Sequence, residues 1–351
     1  MKIAYIIPSL SQAGNVCVVK DLATVMCQHG HQCVIYYFDD SPVGYEFPCD
    51  TIRINMRYKI PFNNFDIIHT HSLRPDIYSF FHFPWKSKSH LICTIHNYVF
   101  EDSIDYKGKL LGTLAALIWQ FSRLRNERYL VLSNAHYDYY KKWFCRDKIR
   151  VAYNTRLIDK TADIPQEDKD FFNNIRHRYS TICSSICQIT DRKGLDQIID
   201  AMPYIDNHIC YVIIGDGPKY LKLKEKVNVM GLSERVFFMG KRADGYRYFP
   251  YIDVFCIPSH SEGFPLAMLE AASYGKAIVS SDLPVFQEIF NKNECVICKE
   301  NDIKSFANGI KYATENIVIL GQNAQNKFET SYSPSIFYDN HYNIYKELLE
   351  I

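Results

Sequence analysis

The sequence predicts an α/β protein of two Rossmann-like domains facing a central cleft, with a helical segment after the second. Three observations carry this expectation. Apolar runs of strand length alternate with segments of helical periodicity along most of the 351 residues. A polar, charged stretch at 158–170 interrupts that alternation, which then restarts. The strand-like runs end in loops that carry glycine, histidine or paired cations, as in parallel sheets whose helices cover both faces.

The first series opens with the apolar run Lys2–Pro8, then the polar loop Ser9–Asn15. Val18, Leu22, Val25 and Met26 give Val16–His29 a helical period, Gly30 ends it, and Gln32–Phe38 reads as a second strand. Ile67–Thr70 and Leu91–Ile95 are further strands, each running into a histidine-bearing loop. Leu110–Arg128, rich in Leu, Ala, Trp and Phe, reads as a helix before the strands Tyr129–Leu132 and Ile149–Tyr153. After the linker come strand 182–189, helix 194–202, strand 211–214, helix 219–230 and strand 236–239. Strand 254–257, helix 265–274, strand 277–280 and a short apolar run at 295–297 follow, and 334–351 is helical in spacing. The expected domains are therefore 1–160 and 161–332, with 333–351 as a C-terminal helix.

Composition narrows the function. With 47% hydrophobic and 23% charged residues, the chain is globular. A net charge of +1 argues against nucleic acid as the main partner, since proteins that track phosphates carry a large basic excess. The N-terminus lacks the long apolar stretch of a secretory signal, and no run approaches a membrane span, so a cytoplasmic location is expected. Most of the 12 cysteines sit in apolar strand-like segments, as reduced thiols do, and Cys295-Val-Ile-Cys298 is a C-x-x-C pair with no second pair.

Four loops after strands in the second half are candidates for chemistry. Ile186-Cys-Gln-Ile-Thr-Asp-Arg-Lys-Gly194 brings two cations to a helix start, which suits a phosphate, although such pairs also occur in solvated loops. Ile213-Ile-Gly-Asp-Gly-Pro218 permits a tight turn and close backbone approach to a ligand. Phe238-Met-Gly-Lys241 is a weaker signal. The fourth, Val254 to Glu270, delivers Glu262 to a Gly-containing loop, puts Pro265 at a first helical position and carries Glu270 inside the helix. Backbone N–H groups around Gly263–Leu266 can meet an anion or sugar hydroxyls, and the two carboxylates can accept hydrogen bonds from vicinal diols. Glu262 could equally be a favourable charge at a helix N-terminus, and Glu270 a satisfied helix residue.

This last segment resembles the retaining glycosyltransferases of family 4, whose hallmark is Glu-x7-Glu. Pro258, Ser259, Glu262, Gly263, Phe264, Glu270 and Ala271 fall in register with it, and Tyr274–Ser280 resembles the strand that follows, with Ala277 in place of proline. Gly215-Asp-Gly-Pro218, Gly240 and Lys193-Gly194 also fall where the family has them, so the resemblance spans nearly the whole chain. It implies the GT-B fold, with the C-terminal helix crossing back to the first domain. It also implies residue roles. Lys193 binds the donor pyrophosphate and Glu270 the ribose hydroxyls. Glu262 meets the donor sugar, with the N–H groups of Gly263 and Phe264 and the neighbouring Pro265 and Leu266, while Gly215, Gly217 and Pro218 lie by the nucleotide. Gln12-Ala-Gly14-Asn15 resembles the loop that approaches the donor phosphate, His96 the active-site histidine, and Asp66–His71 a segment at the cleft edge.

Departures bear on the pyrophosphate. Gln188 stands where the family carries an arginine, so either Arg192 substitutes or one cation suffices with backbone donors. Ala13 replaces the first glycine of the N-terminal pair, and Val16 a frequent glutamate.

The implied reaction moves a hexose or N-acetylhexosamine from a nucleotide sugar, UDP-linked by the family's usual habit with GDP left open, with retention and with no metal or other cofactor. The acceptor is expected to be a saccharide, lipid-linked, in the assembly of an envelope polysaccharide such as lipopolysaccharide or capsule. Asp168-Lys-Asp170 lies in the linker and His69-Thr-His71 lacks a third ligand, so neither is expected to hold a metal. Tyr139-Tyr-Lys-Lys-Trp-Phe144 and Phe83-Pro-Trp-Lys-Ser-Lys88 mix aromatics with cations, as surfaces that touch the inner face of a membrane do, and as ordinary surface and core aromatics do. Two other classes remain open: a sugar-nucleotide epimerase or hydrolase, and a nucleotide-sugar-binding protein without turnover, which Gln188 would suit.

Overall fold

The computed structural model describes residues 1–41 and 44–349. They form two compact units, Met1–Arg156 together with the segment from Ser333, and Leu157–Tyr332. The contact boundary thus falls four residues before the 160/161 division expected, and Lys160 shows why: its Nζ donates to the carbonyl of Ser273, inside the second unit.

The first unit contains β1 (Lys2–Ser9), α1 (Gly14–Gln28), β2 (Gln32–Asp39), β3 (Asp50–Arg53), β4 (Ile67–His71) and α2 (Leu73–His82). It continues with β5 (His90–Ile95), α3 (Val99–Lys107), α4 (Lys109–Ser122), β6 (Arg128–Val131), α5 (Asn134–Tyr140) and β7 (Ile149–Val151). The seven strands form one parallel sheet in the order β3-β2-β1-β4-β5-β6-β7. Ile3 to Ile7 are fully buried, because helices cover both faces of the sheet. The strand order reverses between β1 and β4, which makes the loops after these two strands the walls of a crevice.

The second unit runs α6 (Gln166–Arg176), β8 (Thr181–Ile186), α7 (Leu195–Ala201), β9 (Ile209–Ile214), α8 (Tyr220–Val229), β10 (Val236–Gly240), β11 (Val254–Ile257) and α9 (Leu266–Ser273). Then come β12 (Ala277–Ser281), α10 (Pro284–Ile289), β13 (Val296–Cys298), α11 (Ile303–Glu315) and α12 (Ile317–Ser331). Its six strands are also parallel, in the order β10-β9-β8-β11-β12-β13, with the reversal between β8 and β11. A core of Ile198, Ile199, Met202, Tyr211, Ile213 and Phe306 packs on one face of that sheet.

The last helix, α13 (Pro334–Leu349), belongs to the first unit and packs on α1. Tyr345 places its hydroxyl 2.8 Å from Nδ1 of His69, and Tyr338 stacks on His29 with ring centroids 3.6 Å apart.

Several local expectations are corrected. The 110–128 helix stops at Ser122, because Arg123 to Asn126 turn with i→i+3 hydrogen bonds before β6 begins. The charged stretch at 158–170 is not wholly linker: α6 starts at Gln166, and Asp168 is buried. Arg242 forks onto both its oxygens at 2.8 Å and the Tyr248 hydroxyl donates at 2.5 Å. All 12 cysteines are free. Among the described residues, no helix is long and apolar enough to cross a membrane.

Candidate functional site

The loops after β8, β9 and β11 are sewn to one another. Ile189 N donates to Asp216 O at 2.9 Å, Lys219 N to Ile189 O at 3.1 Å, and His260 N to Arg192 O at 2.8 Å. Gln197 on α7 donates to Pro258 O at 2.7 Å and accepts from Asn301 N at 2.6 Å. Two glycines make this closeness achievable. A Cβ on Gly215 would lie 1.8 Å from Cys187 O, and one on Gly194 (φ +58°) would lie 2.2 Å from Pro258 O. The room for a side chain at Gly215 is thus taken by the neighbouring loop.

At the centre of these loops is a charge triad. Lys193 Nζ donates to Glu262 Oε1 at 2.5 Å, Arg192 to Glu262 Oε2 at 3.1 Å, and the buried Ser259 hydroxyl to Glu262 Oε1 at 2.9 Å. Arg192 also donates to Ser261 O at 2.7 Å. Burial alone would raise the Glu262 pKa, but the Lys193 and Arg192 charges outweigh it and hold it below the usual carboxylate value. The group is therefore ionised, with two cations gathered around one carboxylate. Glu262 is 7% exposed, Lys193 18% and Arg192 44%, so the triad reaches solvent on its cationic side.

The other expected residues distribute around this triad. Gln188 is exposed on the loop after β8; Gly217 and Pro218 sit on the loop after β9, where the Gly217 N–H is taken by Asp216 Oδ1 at 2.7 Å. Gly263 is partly exposed and Phe264 is buried. Pro265 is the N-cap residue of α9 rather than its first helical residue. Leu266 N donates to Phe264 O at 3.1 Å, so of the amides expected to face an anion this one is already bonded. Glu270 projects from the helix itself and is partly exposed.

The first unit has its own group at its strand ends. Gly14 opens α1, and the Asn15 side chain donates to Ser72 Oγ at 2.8 Å, tying that helix to the start of α2. Ser72 holds φ at +83°, a strained value for a residue with a side chain. His96, after β5, places Nε2 at 2.9 Å from Nδ1 of His71, and His69 lies between Tyr345 and Thr94 at 2.8 and 2.7 Å. Burial, then the charges of His136 and Arg123, pushes the His96 pKa down to about 3. Burial, then His69 and His96, holds His71 well below the usual value. His69 and His71 are thus fully buried members of a neutral histidine cluster, and among the described residues no group of three or more His, Cys, Asp or Glu could hold a metal. A separate cavity of about 590 Å³ opens by Phe38, Arg53 and Arg74.

Sequence reasoning did not find Gln197, Ser72 or Glu300, which lies 2.5 Å from His260 Nδ1. Their partners are distant in the chain, so no local pattern marks them.

The model "Glycosyl transferases group 1" matches residues 166–329, and "Glycosyltransferase Family 4" matches residues 14–155. The O-antigen biosynthesis glycosyltransferase WclY of Escherichia coli is 28% identical over 99% of both chains. The E. coli UDP-Gal:alpha-D-GlcNAc-diphosphoundecaprenol alpha-1,3-galactosyltransferase is 26% identical, over 85% of this chain and 82% of its own. Among solved structures, Anabaena Alr3699/HepE in complex with UDP superposes with a TM-score of 0.82 at 16% identity over the whole of both chains. That likeness shows the fold.

Proposed function

We propose a reaction for this protein on the premise that it belongs to glycosyltransferase family 4 and is a GT-B glycosyltransferase. The reaction is transfer of a hexose or N-acetylhexosamine from a UDP-sugar, with retention, to a lipid-linked saccharide in the assembly of an O-antigen or related envelope polysaccharide. The E. coli relatives, named for O-antigen biosynthesis and for an undecaprenyl-diphosphate-linked acceptor, support the acceptor class. The bound UDP of the Anabaena structure supports the donor.

The observation that carries the reading is the Lys193–Glu262–Arg192 triad at the strand reversal of the second sheet. A diphosphate entering there exchanges with Glu262 as partner of Lys193 and Arg192. Arg192 then serves as the second cation, in place of the arginine absent at Gln188. Glu262, released from one cation, accepts hydrogen bonds from donor sugar hydroxyls, and Glu270 takes the ribose diol. Negative charge that builds on the departing diphosphate is met by the two cations and nearby amides, already in position before reaction. The leaving phosphate takes the acceptor proton, so no protein nucleophile and no metal enter the scheme. His96 hydrogen-bonds the transferred sugar. The protein acts in the cytoplasm, at the inner face of the membrane that holds its acceptor.

The test is a panel of UDP- and GDP-sugars with and without an undecaprenyl-diphosphate-linked saccharide, following nucleotide release and product anomer. Acceptor-dependent release with the donor's anomeric configuration retained is the expected result. Donor conversion without acceptor would instead mark an epimerase or hydrolase. Binding without turnover would mark a silent binding protein.

A further inference from the structure

Helix α4 is turned inside out. The residues it presents to the protein are Gly112, Ala116, Gln120 and Ser122, small or polar. Its large apolar residues, Leu110, Leu111, Leu114, Leu117, Ile118 and Phe121, are 47% to 84% exposed. Spacings of three, four and seven put these six on one stripe along the helix.

This orientation is imposed by specific contacts. Gly112 packs so closely on α3 that a Cβ would lie 2.3 Å from Ser103 O. At the other end, Trp119 Nε1 and Arg123 Nε both donate to Asp76 Oδ2 on α2, at 2.7 and 2.9 Å, with the Arg123–Asp76 pair fully buried. Rolling the helix to hide its leucines would break that pair and leave a guanidinium and a carboxylate buried without each other. The apolar face is fixed outward.

We propose that the α4 face seats on an anionic lipid bilayer. Charge decides the occupant. Lys107 and Lys109 flank one end of the stripe; Arg125, over the Trp85 ring at 4.2 Å, flanks the other with Lys86 and Lys88 beside it in the chain. The carboxylates on α3 and after α4, Glu101, Asp102, Asp105 and Glu127, are fewer than these five cations. Two copies of the chain meeting through this face would bring cations against cations in either orientation, whereas anionic headgroups neutralise both ends. Trp85, 87% exposed, adds an aromatic body beside a cation at the border, the arrangement favoured at headgroup depth. Of the aromatic segments expected to make such a surface, Tyr140, Phe144 and Phe83 are buried, so the membrane face lies chiefly on α4.

The α3–α4 pair is the segment that directly follows the His96 loop, α3 starting three residues after His96. Docking there would bring His96 and its loop toward lipid-linked saccharides. That purpose rests on the reaction proposed above; the docking itself does not.

The test is flotation of the full chain with phosphatidylcholine vesicles, with and without phosphatidylglycerol. Wild type should float with the anionic vesicles. Leu114→Glu with Ile118→Glu should weaken flotation by roughly tenfold or more per site. Lys107→Glu with Lys109→Glu should weaken it about fivefold per residue. Thermal unfolding of all variants should match wild type, because the changed side chains are exposed. Failure of wild type to float, or variants that float like wild type, would overturn the proposal. So would a dimer, seen by light scattering, that the Leu114/Ile118 variant dissociates. In the transfer assay the variants should lose rate only on vesicle-embedded acceptor and keep it on a water-soluble analogue. A wild type that floats but transfers to neither acceptor would sink the proposed reaction and leave the docking intact.

Discussion

His71 and His96 face each other through one hydrogen bond, Nδ1 to Nε2 at 2.9 Å, between two rings held neutral by burial. One proton lies between them, and its owner determines what the other His96 nitrogen offers a ligand. The Nε2 of His71 is buried without a protein partner. An orphaned lone pair is tolerated better than an orphaned N–H, so the proton belongs on His71 Nδ1. His96 then accepts at Nε2 and carries its own proton on Nδ1, as a donor to sugar oxygens. Two-bond proton–nitrogen correlation spectra of histidine-labelled protein should show His96 as the Nδ1–H tautomer. His71→Leu should release that constraint and lower the transfer rate. A wild-type His96 protonated on Nε2 would contradict the assignment.

The same cluster sets a pH dependence of stability. The folded protein depresses His96 to about 3 and His136 and His341 to about 4, against 6.5 for an ordinary imidazole. The unfolded chain therefore binds more protons than the folded one between these values. Stability is fully present above about pH 6.5 and falls as pH drops toward 4, by at most about 1.4 kcal/mol per pH unit for each histidine. Urea unfolding between pH 7.5 and 4.5 should show this loss. A flat profile would argue against a buried neutral cluster.

The triad makes opposite predictions for its two halves. Lys193→Ala removes a charged hydrogen bond to diphosphate and should weaken UDP binding by about 1.5–3 kcal/mol. Glu262→Gln removes the internal anion that competes for Lys193 and Arg192. UDP alone should then bind more tightly while sugar transfer falls. Calorimetric titration with UDP separates the two outcomes, and weaker UDP binding by the Glu262 variant would refute the exchange.

Glu270→Ala should abolish or severely weaken nucleotide-sugar binding if this carboxylate holds the ribose diol. Wild-type affinity in the same titration would remove it from the site.

Much of the fold is legible in the sequence because parallel strands buried on both faces are unbroken apolar runs: Ile3–Ile7 and Val254–Ile257 are fully or almost fully buried. Boundaries set by tertiary contacts are not. Nothing in 123–128 announces that the helix stops at Ser122, and nothing local marks its leucines as exposed, because what turns them outward is Asp76, 47 residues from Arg123. The site is legible residue by residue through its family resemblance, yet not as a set of bonds. Lys193 and Glu262 are both named by motif, but that they hold each other across 69 positions is a property of the folded loops. Gly215 carries a constraint its motif does not name, since the Cys187 carbonyl leaves no room there for a side chain.

The buried Arg123–Asp76 pair has a practical consequence for anyone handling this protein. Because it pins α4 with its greasy side outward, a tendency to stick to detergent or plastic follows from the native state and is no sign of misfolding. Recoating that helix with charged residues should yield a better-behaved sample with an unaltered fold. On the docking proposed above, it would also strip away the side that meets the lipid.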